Sequence, residues 1–326
     1  MTSQSLALRN PRPSNLRAFD MRRDLLAVAD LVELCFKDSL DADGRLYIRQ
    51  MRRTAESHRL LNIATAAAGT EMPPGGFVWV EADALVGNLS LIPVIAFGKR
   101  RYLIANVAVH PDFRRRGIAS QMTLAAIKRA RQQGADEIWL QVDADNAAAQ
   151  NLYQQMGFAE RARRLTWQGK PQPELAATLP IQAPVRNSSV EDWDKQIAWL
   201  KATYPPKLQW NLPLDFKLFQ PGWRGSMQRF FGDRRIQQWS AVAEGELLGV
   251  LTWQSSTLQA DRLWLAAEKE TEAMALQALL AHAHLHLRVG RALLLNYPEG
   301  RAEKVFEALG FSRSRHLIWM QYRKAG

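Results

Sequence analysis

The feature that most restricts the fold of this chain is an internal repeat. Residues 80–90, VEADALVGNLS, match residues 242–252, VAEGELLGVLT, with a polar two-residue turn and a glycine at the same places. Residues 147–158, AAAQNLYQQMGF, match residues 300–311, GRAEKVFEALGF. The first pair predicts a β-hairpin in each half, and the second predicts a short amphipathic helix that ends at a Gly-Phe pair. Two matches in the same order predict two copies of one fold.

A proline-rich stretch separates the two copies. Residues 168–186 contain four prolines and little helical pattern, which is typical of a linker. We therefore predict a first domain over residues 1–168, a linker over 169–185 and a second domain over 186–326. In each copy a hairpin precedes strand and helix segments. This order predicts the α/β (α+β) class, with two tandem domains that each hold a mixed, mostly antiparallel sheet flanked by helices.

Composition limits the location and the partners of the chain. The sequence has no apolar run of the roughly 18 residues that a membrane span needs, and its start lacks the apolar core of a secretory signal. We therefore expect a cytoplasmic protein with no membrane partner. The formal net charge of +11 fits either a nucleic-acid surface or a site for a multiply phosphorylated ligand. Because no nucleic-acid-binding motif is present, we do not expect a nucleic-acid partner.

The stretch HPDFRRRGIAS, residues 110–120, lies between a predicted strand over 101–109 and a predicted helix over about 117–133. A helix N-terminus presents N–H groups that have no partner within the helix and carries partial positive charge. A glycine at this point lets an anion approach the backbone, and arginine heads suit phosphate oxygens. The pattern therefore predicts a phosphate-binding loop, although a basic helix start on an ordinary surface is the alternative.

A second motif follows at a fixed distance. Asn146, Ala149, Leu152, Tyr153 and the Gly-Phe pair at 157–158 form the run Asn-x-x-Ala-x-x-Leu-Tyr-x-x-x-Gly-Phe. Together with the VAVHPDFRRRGIA block, this run resembles the GCN5-related N-acetyltransferase (GNAT) superfamily. The resemblance is specific over about residues 76–160 and weaker over 15–170. It implies an acetyltransferase that uses acetyl-coenzyme A (acetyl-CoA) and no metal.

The resemblance also implies which residues hold the coenzyme. In the family, a strand splays from its parallel neighbour, its free backbone groups bond the pantetheine arm, and the pyrophosphate lies on the following loop. The coenzyme-binding residues implied in this chain are Val107, Ala108, Val109, Arg114, Arg115, Arg116, Gly117, Ile118, Ala119, Ser120 and Asn146. For Asn146, an N-cap of the following helix is an equally sound interpretation.

Tyr153 resembles the family tyrosine that gives a proton to the departing thiolate, and simple packing is the alternative interpretation. The oxyanion of the transition state is expected to meet a backbone N–H of the splayed strand, for which Val109 is the candidate. The general base stays open among Asp143, Glu81 and a water chain. Gln141 stands where bacterial relatives that acetylate protein N-termini tend to have Glu, and this departure argues against acetylation of ribosomal protein N-termini.

We therefore expect an N-acetyltransferase that acts on a small-molecule amine. The alternatives are an enzyme that acetylates protein N-termini or lysines, and an acyl-CoA-binding regulatory module without turnover. A monomer or a weak dimer is expected.

The second copy is expected not to bind the coenzyme. It lacks the glycine loop, and the acidic residues Glu268, Glu270 and Glu272 stand where phosphates would bind. Phe306 aligns with the tyrosine, and Glu299 aligns with the asparagine. Histidines at 282, 284 and 286 lie in an apparent helix, but no third ligand has metal-site spacing, so no metal site is expected.

Overall fold

A computed structural model describes the fold. It covers residues 15–37, 40, 42–60, 75–180, 183–212, 214–222, 235–257 and 259–323.

The elements of the first half include the predicted hairpin, the strand before the arginine loop, the helix after it and the short helix that ends at Gly-Phe. In chain order they are β1 (Leu16–Ala18), α1 (Met21–Phe36), α2 (Ala42–Leu60), β2 (Gly75–Glu81), β3 (Ala84–Ala96), β4 (Lys99–Val109), a 3-10 helix (Pro111–Phe113), α3 (Ile118–Gln132), β5 (Glu137–Asp143), α4 (Ala147–Gln155) and β6 (Phe158–Gly169).

The second half repeats this order in outline. Its elements are α5 (Pro173–Thr178), β7 (Val185–Asn187), α6 (Trp193–Thr203), α7 (Pro206–Gln209), a 3-10 helix (Phe216–Phe219), β8 (Ile236–Ala243), β9 (Glu246–Gln254), β10 (Ala260–Ala267), α8 (Glu272–His286), β11 (Ala292–Pro298), α9 (Glu303–Ala308) and β12 (Ser312–Tyr322). No described helix is both long enough and apolar enough to cross a membrane.

The hairpins confirm the repeat at the level of the backbone. The turn between β2 and β3 has positive φ at Ala82 and Asp83, 47° and 65°, and the turn between β8 and β9 has positive φ at Glu244 and Gly245, 51° and 81°. Two positive φ values in a two-residue loop match the twist of the strands that the loop joins.

The described strands form one sheet in the order β1-β2-β3-β4-β5-β12-β6-β11-β10-β9-β8-β7. Only the pairs β4–β5 and β10–β11 are parallel, which confirms a mixed, mostly antiparallel sheet. Helices cover both faces. In the first half α3 packs on β2, β3 and β4, and α1 packs on the opposite face; in the second half α8 and α6 take the corresponding positions.

The last strands of the two halves are exchanged. β12 lies between β5 and β6, so the C-terminal strand pairs with the sheet of the first half. β6, from the first half, pairs with β11 of the second half. The predicted boundary at residue 168 therefore describes the sequence repeat, whereas the spatial halves trade one strand each. Sequence patterns could not predict this exchange because both strands carry the same alternation of apolar residues.

The predicted linker is partly ordered into a helix. α5 lies within residues 169–185 and packs on α8. The amide of Gln172, just before this helix, donates to Nδ1 of the buried His284 at 2.9 Å. The prolines are compatible with this helix because Pro173 is its first residue, where a missing N–H costs nothing.

Candidate active site

The parallel strands β4 and β5 separate part of the way along their length. Their pairing runs from Arg101 opposite Glu137 to Ile104 opposite Leu140. β5 continues in partnership with β12, while β4 continues beside β3 only. Within the described residues no strand pairs with β4 beyond Ile104 on this side. A wedge-shaped gap therefore opens between residues 105–109 and 141–143, as the resemblance implied.

Two backbone amides of β4 face this gap. The amide of His110 donates to the carbonyl of Val86 at 2.9 Å, so His110 turns its backbone groups toward β3. Because hydrogen-bonding direction alternates along an antiparallel strand, Ala108 also turns toward β3, while Val107 and Val109 turn toward the gap. The carbonyl of Val109 agrees with this, since it accepts from Cys35 Sγ at 3.4 Å and from Arg114 Nε at 3.2 Å.

The loop after β4 leads into the N-terminus of α3 with its amides free. Gly117 is the N-cap residue, has φ of 75° and supplies no side-chain cap. The first backbone bond of the helix runs from the amide of Gln121 to the carbonyl of Gly117, at 3.0 Å. In the part of the chain that the structure describes, the amides of residues 115–120 have no acceptor. This is the arrangement of bare N–H groups that binds an anion at a helix N-terminus.

The three arginines of the loop are exposed and only loosely held. Arg116 donates to the carbonyl of Asp112 at 3.0 Å, lies over the ring of Phe113 and approaches Glu81 to 3.8 Å. Arg114 contacts the carbonyl of Val109, and Arg115 has no partner among the described residues. The cationic heads are therefore available to a phosphate at modest cost.

Tyr153 lies in α4 and is 6% exposed, packed edge-on against Phe158. Burial raises the pKa of Tyr153 to about 12, so its phenol keeps its proton at neutral pH. Its hydroxyl has no hydrogen-bond partner in the described chain, so it is an unused donor. The ring also packs against Phe158, as the alternative interpretation required.

Asn146 takes the position of an N-cap. Its Oδ1 accepts from the amide of Ala149 at 3.0 Å at the start of α4. The capping bond accounts for the side-chain oxygen of Asn146, whereas its side-chain nitrogen has no hydrogen-bond partner in the described residues. A contact of that nitrogen with a ligand stays a prediction.

The residues considered as a general base lie in different surroundings. Gln141 and Asp143 share one face of β5, at the gap, but Asp143 Oδ1 already accepts from the amide of Asp145 at 2.9 Å. Glu81 lies beside the loop, where its Oε1 accepts from Trp79 Nε1 at 3.0 Å and the other oxygen faces Arg116. Each carboxylate thus has a structural partner, and the choice between them stays open.

The second half has the same strand separation, but its own side chains fill it. β10 and β11 pair only from Ala260 opposite Ala292 to Leu263 opposite Leu295. The amide of Leu265, the first to face the gap beyond this pairing, donates to the hydroxyl of Tyr204 at 3.2 Å. Tyr204 is fully buried, and the guanidinium of Arg164 lies over its ring. Tyr204 is the C-cap residue that follows α6, outside the repeated motifs, so no sequence signal pointed to it.

The helix N-terminus of the second half is also occupied. Only residues 268–271 separate β10 from α8, whereas residues 110–117 separate β4 from α3. Glu272 begins α8, and its carboxylate accepts from the hydroxyl of Tyr297 at 2.7 Å and pairs with Arg301. Phe306, at the position of the tyrosine, is buried against Tyr297 and Trp167. A carboxylate of the chain thus lies where the first half leaves free amides.

Two of the helix histidines meet each other. The rings of His282 and His286 stack with centroids 3.8 Å apart, and Nδ1 of His286 contacts the carbonyl of His282 at 2.8 Å. Among the residues described, no three or more His, Cys, Asp or Glu side chains come together as a metal site would require.

The family model for the Acetyltransferase (GNAT) family matches residues 41–158, which include the splayed strands, the loop and Tyr153. These residues form a GNAT domain. A GCN5-related N-acetyltransferase from Sphaerobacter thermophilus shares the fold across both halves, with 15% identity, a TM-score of 0.58, and coverage of 95% of this chain and 96% of that one.

Two named relatives match part of this chain. N-alpha-acetyltransferase 30 of Schizosaccharomyces pombe is 31% identical over 94 residues, 28% of this chain and 63% of the relative. Streptothricin acetyltransferase of Streptomyces lavendulae is 33% identical over 93 residues, 28% of this chain and 49% of the relative. The chain thus spans about half of one of these relatives and somewhat less than two thirds of the other.

Proposed function

We propose that the chain is an acetyl-CoA-dependent N-acetyltransferase that binds acetyl-CoA between β4 and β5 and transfers the acetyl group to a small-molecule amine. The observation that carries the proposal is the set of free amides over residues 115–120. They lie beside the amides of Val107 and Val109, which the alternation along β4 turns toward the gap. Backbone N–H groups without acceptors in the chain can bind a ligand. A ligand with a diphosphate suits those at the helix start, and an amide-bearing arm suits those along β4.

The transfer needs little from the protein beyond position and charge. A neutral amine attacks the thioester carbon, the new N–C bond forms, and the C–S bond breaks to release a thiolate. The gap-facing amide of Val109 lies where it can donate to the developing oxyanion. Tyr153, kept protonated by its raised pKa, donates a hydrogen bond to the departing thiolate. The amine loses its proton to a carboxylate or water at the gap, and that proton finally neutralises the thiolate.

A small amine is the proposed acceptor because the strand position that faces the gap carries an amide. Gln141 has no carboxylate with which to take a proton from a peptide N-terminus. The names of the relatives divide between N-alpha-acetylation and streptothricin acetylation, so they favour amines as a class. Protein N-termini and lysines are the second candidate acceptors.

Only the first half is proposed to bind the coenzyme. In the second half Tyr204 already bonds the amide of Leu265, and the carboxylate of Glu272 would repel a diphosphate at the start of α8. One acetyl-CoA per chain is the expected stoichiometry.

The test compares two glycines with similar backbone geometry. Gly117 has φ of 75° and Gly245, in the β8–β9 turn, has φ of 81°; an added Cβ meets no atom within 3.4 Å at either position. Gly117→Ala and Gly245→Ala therefore carry similar backbone strain, but only the first lies at the proposed pyrophosphate site. Titration calorimetry with acetyl-CoA is expected to give one site in the unmodified chain, weaker binding by about ten-fold in Gly117→Ala, and no change in Gly245→Ala.

Absence of heat with acetyl-CoA in the unmodified chain would overturn the proposal, as would equal losses in both variants. The acceptor is then found by measuring free thiol released with a panel of small amines and with peptides that carry free N-termini. Turnover with peptides alone would select the second candidate. Acetyl-CoA binding with no thiol release from any acceptor would favour a regulatory module.

A further inference from the structure

A single β-bulge lies where the gap between β4 and β5 opens. Ser90 of β3 is opposite Ala105, and Asn88 is opposite Ala108, so three steps along β4 face two steps along β3. The residue that follows Ala105 is Asn106, and its φ is +50°, in the left-handed region that most side chains avoid. The extra residue changes which amides of β4 face β3 and which face the gap.

A buried polar network holds this bulge. Asn88 is 2% exposed, and its Nδ2 donates to the carbonyl of Asn106 at 2.9 Å. Asn106 in turn donates from its own Nδ2 to Ser90 Oγ at 3.3 Å. A bulge leaves its extra residue outside the backbone ladder, so the carbonyl of Asn106 needs a donor from elsewhere. Asn88 supplies that donor from the neighbouring strand.

The second half shows the same strands without this network. β9 and β10 pair without a register shift, and the described residues of β10 have no positive φ. Since Gly249 corresponds to Gly87, the position of Asn88 holds Val250 and that of Ser90 holds Thr252. Bulge and network are thus present in the half whose gap is open and missing from the half whose gap Tyr204 fills.

We infer that Asn88 and Asn106 are positioning residues for the acetyl transfer, an inference that rests on the proposed function. With the bulge in place, the amides of Val107 and Val109 face the gap. If the bulge were lost and β4 continued its regular pairing with β3 beyond Ala105, the amides of Val107 and Val109 would face β3. The amides of Asn106 and Ala108 would then face the gap. Asn88 therefore selects which N–H groups meet the pantetheine arm and the thioester oxygen.

Two variants at residue 106 separate this role from a general loss of packing. Asn106→Gly and Asn106→Val both lose the bond to Ser90, but glycine accepts a positive φ and a β-branched residue resists it. The left-handed conformation costs a side chain roughly 1–2 kcal/mol, which is about a ten-fold change in an equilibrium. We expect Asn106→Gly to bind acetyl-CoA within about three-fold of the unmodified chain and Asn106→Val to bind at least ten-fold more weakly.

A third variant, Asn88→Val, gives the first half the residue type that the second half has at the corresponding position, Val250. It removes the donor to the Asn106 carbonyl at similar side-chain volume. We expect a weaker acetyl-CoA affinity and a lower kcat, each by about ten-fold, with the KM for the amine acceptor unchanged. Thermal melting of all three variants identifies those that fold, and only folded protein enters the comparison.

The outcomes distinguish the two proposals. If the unmodified chain gives no heat with acetyl-CoA, the proposed function fails and the inference fails with it. If the unmodified chain binds and the folded variants Asn106→Gly and Asn106→Val bind equally well, only the inference is overturned. If Asn106→Val does not fold, Asn88→Val replaces it in this comparison, and an unchanged acetyl-CoA affinity and kcat in folded Asn88→Val would overturn the inference. A lower melting temperature with unchanged affinity and kcat would assign Asn88 a purely structural role.

Discussion

The two halves of the molecule differ in how they treat the backbone amides at the point where their parallel strands separate. Each separates a parallel strand pair after four residue pairs, and each thereby exposes backbone amides that need partners. In the second half, Tyr204 bonds the amide of Leu265 and the carboxylate of Glu272 lies at the start of α8. In the first half, the amides at the start of α3 have no acceptor in the described chain, and the part of β4 beyond Ile104 has no described strand beside it at the gap. A fold that must satisfy its polar groups can do so with its own side chains or with a ligand, and the two halves differ in that choice.

The exchanged strands make the stability of one half depend on the other. Trp319 belongs to β12, late in the sequence, yet it packs with Trp139 of β5 and with Trp210. Trp319→Ala is expected to lower the free energy of unfolding by about 3–5 kcal/mol, because a large buried ring leaves a cavity. Urea unfolding followed by far-UV circular dichroism measures it. A two-step curve whose acetyl-CoA-stabilised step is unchanged in the variant would contradict the coupling of the halves.

This coupling marks the limit of what the sequence could predict. The hairpins, the strand before the loop, the helix after it and the Gly-Phe end of α4 follow from local patterns, since turn residues and apolar periodicity act over a few positions. The place of β12 does not, because β6 and β12 carry the same alternation of apolar residues, and only the whole sheet decides which of them lies beside β5 and which beside β11. Tyr204 and Asn88 were missed for a similar reason: each acts through a single contact across strands or helices that no local pattern encodes.

The hydroxyl of Tyr153 is a chemical difference between the two halves that one substitution can remove. Tyr153→Phe removes the phenol proton and keeps the ring, and it makes the position resemble Phe306 of the second half. We expect thiol release to fall by about 100-fold, the lower range for a lost general acid, with unchanged affinity for acetyl-CoA. Stopped-flow detection of free thiol and titration calorimetry measure the two quantities. Tyr322→Phe, in the same apolar cluster, serves as the control and should keep its rate. Unchanged turnover in Tyr153→Phe would assign Tyr153 a packing role only.

The hydroxyl of Tyr204, which accepts from the amide of Leu265 in the gap of the second half, can be removed by a similar substitution. Tyr204→Phe keeps the ring but leaves the buried amide of Leu265 without an acceptor. The expected cost is about 1–3 kcal/mol in the free energy of unfolding, with one acetyl-CoA still bound per chain. Denaturant unfolding of Tyr102→Phe, whose hydroxyl has no partner in the described residues, gives the baseline. A stability equal to that baseline would mean that the Tyr204 hydroxyl does not satisfy the second gap.

Acid should weaken a contact that both halves share. Arg17 pairs with Asp24 in the first half, and Arg186 pairs with Asp192 in the second, both at 2.6 Å. Burial by itself would raise the pKa of Asp192, but the Arg186 guanidinium and the amide of Ser189 outweigh it and lower the pKa to about 2. A carboxyl whose folded pKa is depressed stabilises the fold above its unfolded pKa of about 4 and loses that contribution as pH falls toward 2.

For Asp192 this linkage amounts to about 2 kcal/mol, lost between roughly pH 5 and pH 2. Unfolding free energies measured across this range in the unmodified chain and in Asp192→Asn give the contribution as a difference. The difference should be largest above pH 5 and should shrink as the pH falls. A difference that stays constant with pH would mean that Asp192 is not held by its ion pair.

The smallest effect concerns the electrostatics of the open site. Glu81 faces Arg116 at 3.8 Å, with both side chains partly exposed, so the carboxylate competes with a phosphate for that guanidinium. Exposed pairs of this kind contribute less than about 1 kcal/mol, so Glu81→Gln should tighten acetyl-CoA binding by only about two- to five-fold. The gain should shrink at high salt, because screening weakens the competing charge. Glu246→Gln, which breaks an exposed pair with Lys195 in the second half, should leave the affinity unchanged. The same variant also tests which group is the general base. If Glu81→Gln abolishes thiol release at unchanged affinity for acetyl-CoA, Glu81 takes the proton of the amine. The contact with Arg116 would then orient the Glu81 carboxylate toward the gap rather than compete with the phosphate.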